Sequence, residues 1–153
     1  MLFRSRDIRR RVRKAACRLG ASLAAPRWNG SSYGLASFAG MDGPLDVGPL
    51  GIREPPASAQ AVDPASVTVW IVPGVAFTAD GRRLGQGGGW YDRLLAAADP
   101  AAAKLGVAYD FQVVPEVPVE PHDMRLSAVV TPSAGGAETC PDGRGVEGAS
   151  AAC

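Results

Sequence analysis

A short apolar run rich in β-branched residues, Val67-Thr-Val-Trp-Ile-Val72, constrains the fold of this chain most strongly. A run of this length between prolines is typical of a strand that is buried on both faces. A glycine-rich stretch follows, and residues 91–98 then have the pattern of a helix. Further apolar runs predict core strands at 104–109 and 127–131. This alternation of strand, loop, helix and strand predicts an α/β fold with a central, mostly parallel sheet.

The flanking regions carry weaker patterns. Residues 5–19 predict a helix, because apolar residues recur there at spacings of three and four while arginines take the other face. Residues 22–26 predict a short strand. Residues 27–66 are rich in Gly, Pro, Ser and Asp and predict loops around one weak strand near 33–38. Residues 133–153 have almost no large apolar side chain, which predicts a disordered tail.

Length and composition limit the function classes. The 153 residues and the hydrophobic fraction of 46% are enough for one domain with a real core. The net charge of +1 favours no particular partner, although basic residues crowd the first 18 positions. Three widely spaced cysteines imply no disulfide framework and favour the cytoplasm. No apolar run approaches the roughly 18 residues that would span a bilayer.

The segment Gly85-Gln-Gly-Gly-Gly-Trp-Tyr-Asp92 carries the strongest chemical signal, because it lies between a predicted strand and a helix. Glycines let the backbone approach a ligand, and the N–H groups at a helix N-terminus favour phosphate. Arg83 adds a forked cation, and Asp92 lies on the first helical turn, where it suits a metal that bridges to phosphate. The segment lacks the Gly-Lys-Ser/Thr ending of a Walker A motif. The alternative is a turn that merely requires glycine.

Asp123 is the second chemical candidate, in the run Pro118-Val-Glu-Pro-His-Asp-Met124 before the last predicted strand. A single loop carboxylate usually is a solvated charge or a cap. It becomes a metal ligand only if it meets Asp92 around one Mg²⁺, and sequence spacing leaves that open. His122 beside it either tunes such a site or is simply exposed.

Several runs, in this order and with these gaps, closely resemble the 5-formyltetrahydrofolate cyclo-ligase family, also called methenyltetrahydrofolate synthetase. The runs are Leu50–Pro55, Val69–Phe77, Arg83–Asp92, Leu105–Gln112, Val117–Asp123 and Val129–Thr131. The resemblance is specific over about residues 44–132. It implies a single three-layer α/β/α domain over residues 1–132 that is incomplete at its N-terminal side.

The resemblance also implies a reaction. MgATP phosphorylates the formyl oxygen of 5-formyltetrahydrofolate, the other folate nitrogen attacks, phosphate leaves, and 5,10-methenyltetrahydrofolate forms. By resemblance, the ATP-binding residues are Arg83, Leu84, Gly85, Gln86, Gly87, Gly88, Gly89, Trp90 and Tyr91. The residues expected against the folate are Gln86, Gly87, Gly88, Gly89 and Trp90, with Trp90 offering a flat surface to the pterin. Asp92 and Asp123 would hold Mg²⁺. No covalent nucleophile is implied.

The chain departs from the family pattern mainly at its front. Only one basic helix and one short strand precede Arg27, where the family has two of each and a folate-binding glutamate. Either the first helix and strand are missing, which we favour, or an internal piece is lost. Glu54 belongs to a different family motif and does not replace that glutamate. Gln86, Trp90 and Thr78 are smaller departures.

Three function hypotheses follow. The first is ATP- and Mg²⁺-dependent cyclisation of 5-formyltetrahydrofolate by a cytoplasmic monomer that binds neither nucleic acid nor membrane. The second is an inactive family member that retains nucleotide or folate binding. The third is a nucleic-acid-binding module that acts through the basic helix, which steep salt dependence would support. Trp28 and Tyr33 either line a folate pocket or belong to the core.

Overall fold

The computed structural model describes residues 14–16, 18–38, 43–133 and 138–139. The chain divides into two compact units, and both are discontinuous in sequence. The first unit comprises residues up to Thr68 together with Gly87–Ala102, and the second comprises Val69–Gln86 together with residues from Ala103 onward. The chain therefore passes from the second unit to the first inside the glycine-rich segment.

The first unit contains a small antiparallel sheet in the order β1-β2-β5 and a separate two-stranded ladder, β3-β4. The strands are β1 (Ala24–Trp28), β2 (Tyr33–Ser37), β3 (Asp46–Val47), β4 (Arg53–Glu54) and β5 (Ala61–Val62). The β1–β2 hairpin turns because the Asn29 side chain accepts hydrogen bonds from the N–H groups of Ser31 and Ser32 at 3.0 and 2.8 Å. This register places Trp28 opposite Tyr33 at the turn end of the hairpin.

The helix Trp90–Ala96 also belongs to the first unit and confirms the predicted helix within two residues at each end. It buries Leu94 and Leu95, which are 6% and 1% exposed. Burial of two leucines stabilises this unit by roughly 3–6 kcal/mol. Asp99 follows the helix, and its carboxylate accepts the N–H of Ala101 at 2.8 Å, which begins the next turn. A short 3₁₀ helix, Pro64–Ser66, is capped in the same way by Asp63.

The second unit contains a four-stranded sheet in the order β11-β10-β9-β6. Its strands are β6 (Val69–Val72), β9 (Ala103–Val107), β10 (Ala128–Val130) and β11 (Glu138–Thr139). β6, β9 and β10 are parallel, and β11 is antiparallel to β10. The mixed α/β class with a parallel sheet is therefore confirmed. A hairpin of β7 (Ala76–Phe77) and β8 (Arg83–Leu84) and a 3₁₀ helix, Asp110–Gln112, complete the unit.

The prediction that β6 is buried on both faces is wrong. Trp70 and Val72 are buried, whereas Val69 is 53% exposed. In the described part of the sheet β6 pairs only with β9, so its side chains alternate between the core and the outside.

Phe77 is the centre of the second unit and is fully buried. Its ring packs against β9 at Gly106, where an added Cβ would come within 2.8 Å of the ring and 2.9 Å of Leu126. A glycine inside this strand is therefore a packing requirement, because any side chain would displace the ring. The same ring closes over Gly74, where a Cβ would lie 2.7 Å away.

Some predictions fall on other parts of the chain. Of the predicted helix 5–19, residues 14–16 and 18 are described and helical, Leu19 lies in the turn that follows, and residues 5–13 and 17 lie outside the described residues. Of the predicted tail 133–153, Ser133 and the two residues of β11 are described. Within the described ranges, no helix has both the length and the apolar character that a membrane span requires. The strands β3, β4 and β5 lie where loops were predicted.

Candidate functional site

Arg83 opens the glycine-rich segment from within the second unit. Its Nη1 donates to the carbonyl of Pro73 at 3.3 Å, which anchors the guanidinium to the turn that follows β6. Gly85 lies beside it, since a Cβ there would be 3.0 Å from Arg83 Nη1. Leu84 pairs with Ala76 in the β7–β8 hairpin. This part of the segment is therefore a structured hairpin arm, and Gln86 is exposed beyond it.

The three following glycines belong to the first unit and meet different demands. Gly87 and Gly89 have φ angles of 85° and 59°, a region that favours glycine. Gly88 has an ordinary φ, but a Cβ there would come within 2.6 Å of the Trp90 indole. Gly89 caps the helix without a side-chain hydrogen bond. Local structure therefore explains why glycine occupies all three positions, independently of any ligand.

Trp90 begins the helix and is held by Arg93 one turn later. The Arg93 guanidinium lies 4.2 Å from the centre of the indole ring, within cation–π range. Arg93 Nη2 also donates to the carbonyl of Gly88 at 2.8 Å. The guanidinium therefore covers one face of the indole and fixes the glycine segment at the same time. Sequence reasoning missed Arg93, although its three-residue spacing from Trp90 on a helix was a usable signal.

Trp28, Tyr33 and Trp90 form what we call the aromatic cluster. The ring centroids are 5.2 Å apart for Trp28–Tyr33, 5.4 Å for Tyr33–Trp90 and 5.6 Å for Trp28–Trp90, and all three pairs meet edge to face. This geometry is favourable for aromatic rings. Each ring is half-buried. The cluster joins the end of the β1–β2 hairpin to the first residue of the helix.

Glu54 lies beneath this cluster and is only 5% exposed. Its Oε2 accepts the Trp28 N–H at 2.8 Å, and its Oε1 accepts the Tyr33 O–H at 3.0 Å. Burial, together with the hydrogen bond and the negative charge of Glu54, raises the pKa of Tyr33 to about 12. Tyr33 therefore stays a hydrogen-bond donor well beyond neutral pH. Sequence reasoning missed this arrangement, because Glu54 lies 21 positions after Tyr33 and 26 positions after Trp28. No local sequence pattern indicates partners at such separations.

The two predicted metal ligands lie in different units. Asp92 is the third residue of the helix and is half-buried. Asp123 closes a turn, since its Oδ2 accepts the Glu120 N–H at 2.7 Å and its own N–H donates to the Glu120 carbonyl at 3.0 Å. His122 contacts Glu120 at 3.3 Å, and both side chains are exposed. Among the residues that the structure describes, no three His, Cys, Asp or Glu side chains gather into a metal-binding group.

The family model of the 5-formyltetrahydrofolate cyclo-ligase family matches residues 6–132, most of the chain. The chain belongs to this family. The match includes the glycine-rich segment, the aromatic cluster, Glu54 and both candidate carboxylates. The expected resemblance is therefore confirmed.

Individual family relatives agree with this assignment. The chain is 38% identical over 96 residues to the 5-formyltetrahydrofolate cyclo-ligase of Mycolicibacterium smegmatis. This alignment covers 61% of this chain and 48% of the relative. It is 46% identical over 86 residues to the enzyme of the same name from Escherichia coli, covering 55% and 47%. The matched region thus spans about half the length of these relatives.

A solved structure extends the comparison to the fold. The NMR structure of Aquifex aeolicus 5,10-methenyltetrahydrofolate synthetase superposes with a TM-score of 0.70 at 34% identity. The alignment covers 91% of this chain and 68% of that one. This family fold therefore extends over most of the chain.

Proposed function

We propose that this chain catalyses the ATP- and Mg²⁺-dependent cyclisation of 5-formyltetrahydrofolate to 5,10-methenyltetrahydrofolate, with release of ADP and phosphate. The observation that supports this proposal is the family match over residues 6–132, which includes the complete segment Arg83–Asp92. In addition, the segment carries an arginine, a run of glycines and a tryptophan close together in sequence. Such a set suits one anionic and one flat aromatic substrate.

The chemistry needs activation of a poor leaving group. The formyl oxygen attacks the γ-phosphorus of ATP, and ADP leaves. The second folate nitrogen then attacks the formyl carbon, and the oxygen departs with the phosphate. No protein nucleophile is required, so the protein's task is to align the two substrates and to neutralise the phosphoryl group.

The residues divide this task by their chemistry. Arg83 and the backbone of Gly85–Gly89 would bind the ATP phosphates, and Arg93 adds a cation beside Gly88 that favours an anionic ligand. Trp90 and Gln86 would contact the folate. Asp92 and Asp123 offer the carboxylate oxygens that Mg²⁺ prefers, and a bound Mg²⁺ would offset charge on the transferring phosphoryl group. The monomeric state and the cytoplasmic location stay predictions.

A cyclisation assay on the purified chain tests the proposal. Formation of methenyltetrahydrofolate is followed by its near-ultraviolet absorbance with 5-formyltetrahydrofolate, ATP and Mg²⁺, and omission of ATP should abolish the signal. We expect Asp92→Asn to lower turnover by about 100-fold, because it weakens binding of the Mg²⁺ that would offset charge on the phosphoryl group.

Asp99→Asn is the matched control, because asparagine keeps the oxygen that accepts the Ala101 N–H. It should retain wild-type turnover. A folded wild-type chain without turnover would contradict the proposal. Binding of either substrate by such a chain would support the alternative of an inactive family member.

A further inference from the structure

We propose that Glu54 is a positioning residue that fixes the aromatic cluster, and through it Trp90, for folate binding. The inference deepens the proposed function and rests on it. Glu54 itself contacts no reacting atom in this scheme. It acts through the Trp28 N–H and the Tyr33 O–H, which approach its carboxylate at 2.8 and 3.0 Å.

The carboxylate is held on both oxygens. Oε2 bonds to the backbone at the end of β1, and Oε1 bonds to a side chain at the start of β2. One group thereby fixes both the main chain that carries Trp28 and the ring of Tyr33. Two hydrogen bonds from different directions restrict orientation in a way that apolar contact alone does not.

The carboxylate also has no room to move toward β3. Gly48 follows that strand, and a Cβ on Gly48 would lie 2.1 Å from Glu54 Oε1 and 2.3 Å from its Cδ. Glycine at this position lets the carboxylate sit directly against the backbone. The site is therefore shaped around a carboxylate, which an alanine at 48 would displace.

The two rings that Glu54 fixes both contact Trp90. Tyr33 and Trp28 meet the indole at 5.4 and 5.6 Å between ring centroids. Arg93 covers one face of the indole, so the neighbouring rings and this cation together restrict the orientation of Trp90. A pterin that packs on Trp90 depends on that orientation. ATP phosphates that bind the backbone of the segment depend on it much less.

Burial of the Glu54 carboxylate carries a desolvation cost. Burying a charge costs more than burying an apolar side chain of similar volume, even when hydrogen bonds compensate. Stability alone would therefore be served as well by apolar packing that replaced the carboxylate and the Tyr33 hydroxyl together. Directional control of the two rings is what the carboxylate adds.

The test compares Glu54→Gln, Tyr33→Phe and the double variant with wild type and with Glu116→Gln, a matched change at an exposed glutamate. Glutamine keeps the shape and one accepting oxygen, but its amide nitrogen cannot accept the second donor. KM for 5-formyltetrahydrofolate, KM for ATP, kcat and the thermal midpoint are measured. Tryptophan emission is recorded in a Trp70→Phe background, which leaves only the two indoles of the cluster.

We expect Glu54→Gln to raise KM for 5-formyltetrahydrofolate about tenfold, with kcat and KM for ATP changed less than about twofold. Tyr33→Phe should raise the same KM about threefold, and the double variant should be no worse than Glu54→Gln, because both act on one hydrogen bond. The emission of Trp28 and Trp90 should change in Glu54→Gln and stay constant in Glu116→Gln.

Two results would overturn the inference in an active enzyme. One is an unchanged KM for the folate in Glu54→Gln. The other is an equal rise of both KM values together with a lower thermal midpoint, which would indicate general destabilisation. If wild type neither turns over nor shows folate quenching of its emission, the proposed function fails and the folate part of the inference fails with it. The emission comparison then still decides whether Glu54 holds the cluster.

Discussion

Two carboxylates, one in each unit, tie distant segments together by opposite means. Glu54 in the first unit is 5% exposed and accepts hydrogen bonds from two uncharged donors. Asp80 in the second unit has a side chain that is 36% exposed and pairs with cations, Arg125 at 2.6 Å and Arg82 at 3.2 Å. The first depends on packing and direction, and the second depends on charge in contact with water.

The surroundings of Asp80 change its acidity. The Thr78 hydroxyl donates to the carboxylate and is the main reason that the pKa of Asp80 lies below its usual range. The Arg125 and Arg82 charges lower this pKa further. Arg125 also donates from Nε to the Asp80 backbone carbonyl at 2.7 Å, so it ties the turn before β8 to the residues before β10. Water and salt can weaken this link, whereas burial shields Glu54 from most of their effect.

Removal of each carboxylate should give the largest contrast. We expect Glu54→Ala to lower the free energy of unfolding by about 3 kcal/mol, because it leaves two buried donors without an acceptor and opens a cavity. Asp80→Ala should cost only about 1 kcal/mol, since solvent screens the ion pairs that it removes. Urea titrations measure both values. Equal losses would show that burial does not separate the two sites.

Alkaline titration should give the next largest effect. The pKa of Tyr33 is raised to about 12 from 10.0, so folding favours the neutral phenol. Its stabilising contribution is complete below pH 10 and is lost as pH rises from there toward 12.

Phenolate absorbance checks this titration, with Tyr33→Phe identifying the signal that belongs to Tyr33. Glu54→Gln should move the pKa of Tyr33 partway back, because it removes the carboxylate's charge and weakens the hydrogen bond while the larger cause, burial, remains. A tyrosine that titrates identically in wild type and Glu54→Gln would show that the two groups are uncoupled.

The smallest effects that we expect are those of acid and salt on Asp80. Because the pKa of Asp80 is lowered in the folded state, its contribution is present above about pH 4 and is lost as pH falls through the folded pKa. Arg125→Gln should cost less than about 1 kcal/mol at low salt, and most of that difference should vanish in about 1 M NaCl.

The control for this measurement is Arg53→Gln on the exposed face of β4, which should show no comparable salt dependence. The readout is the urea midpoint at two salt concentrations. A loss in Arg125→Gln that stays constant with salt would mean that the hydrogen bond to the Asp80 carbonyl matters more than the charge.

The sequence predicted the elements that have a pattern. The apolar runs at 67–72, 104–109 and 127–131 are the parallel strands β6, β9 and β10, and residues 91–98 contain most of the helix Trp90–Ala96. The strands β3, β4, β5, β7 and β8 have only two residues each, too few to show a period of two. They are set by tertiary pairing, which no local window contains.

Only the part of the candidate site that is continuous in sequence could be predicted. The segment Arg83–Asp92 stands out by composition, and its ligand-binding roles, like those of Asp123, stay predictions. Sequence analysis gave Glu54 no role in folate binding, because it belongs to a different family motif. In the structure Glu54 accepts hydrogen bonds from two residues of the aromatic cluster. The hydrogen-bond partners of Glu54 depend on how the β1–β2 hairpin packs against β4. Hydrophobic periodicity gives no information on this packing.

The discontinuity of the two units has a consequence for synthesis on the ribosome. The chain emerges from its N-terminus, so the β1–β2 hairpin is available long before the helix Trp90–Ala96 that its unit requires. β6, β7 and β8 emerge in between, whereas β9, which pairs with β6, and β10, which pairs with β9, come later still. Neither unit can therefore close in a half-made chain. The first unit becomes complete only when Ala102 has been made, and the second needs β9 and β10 after that.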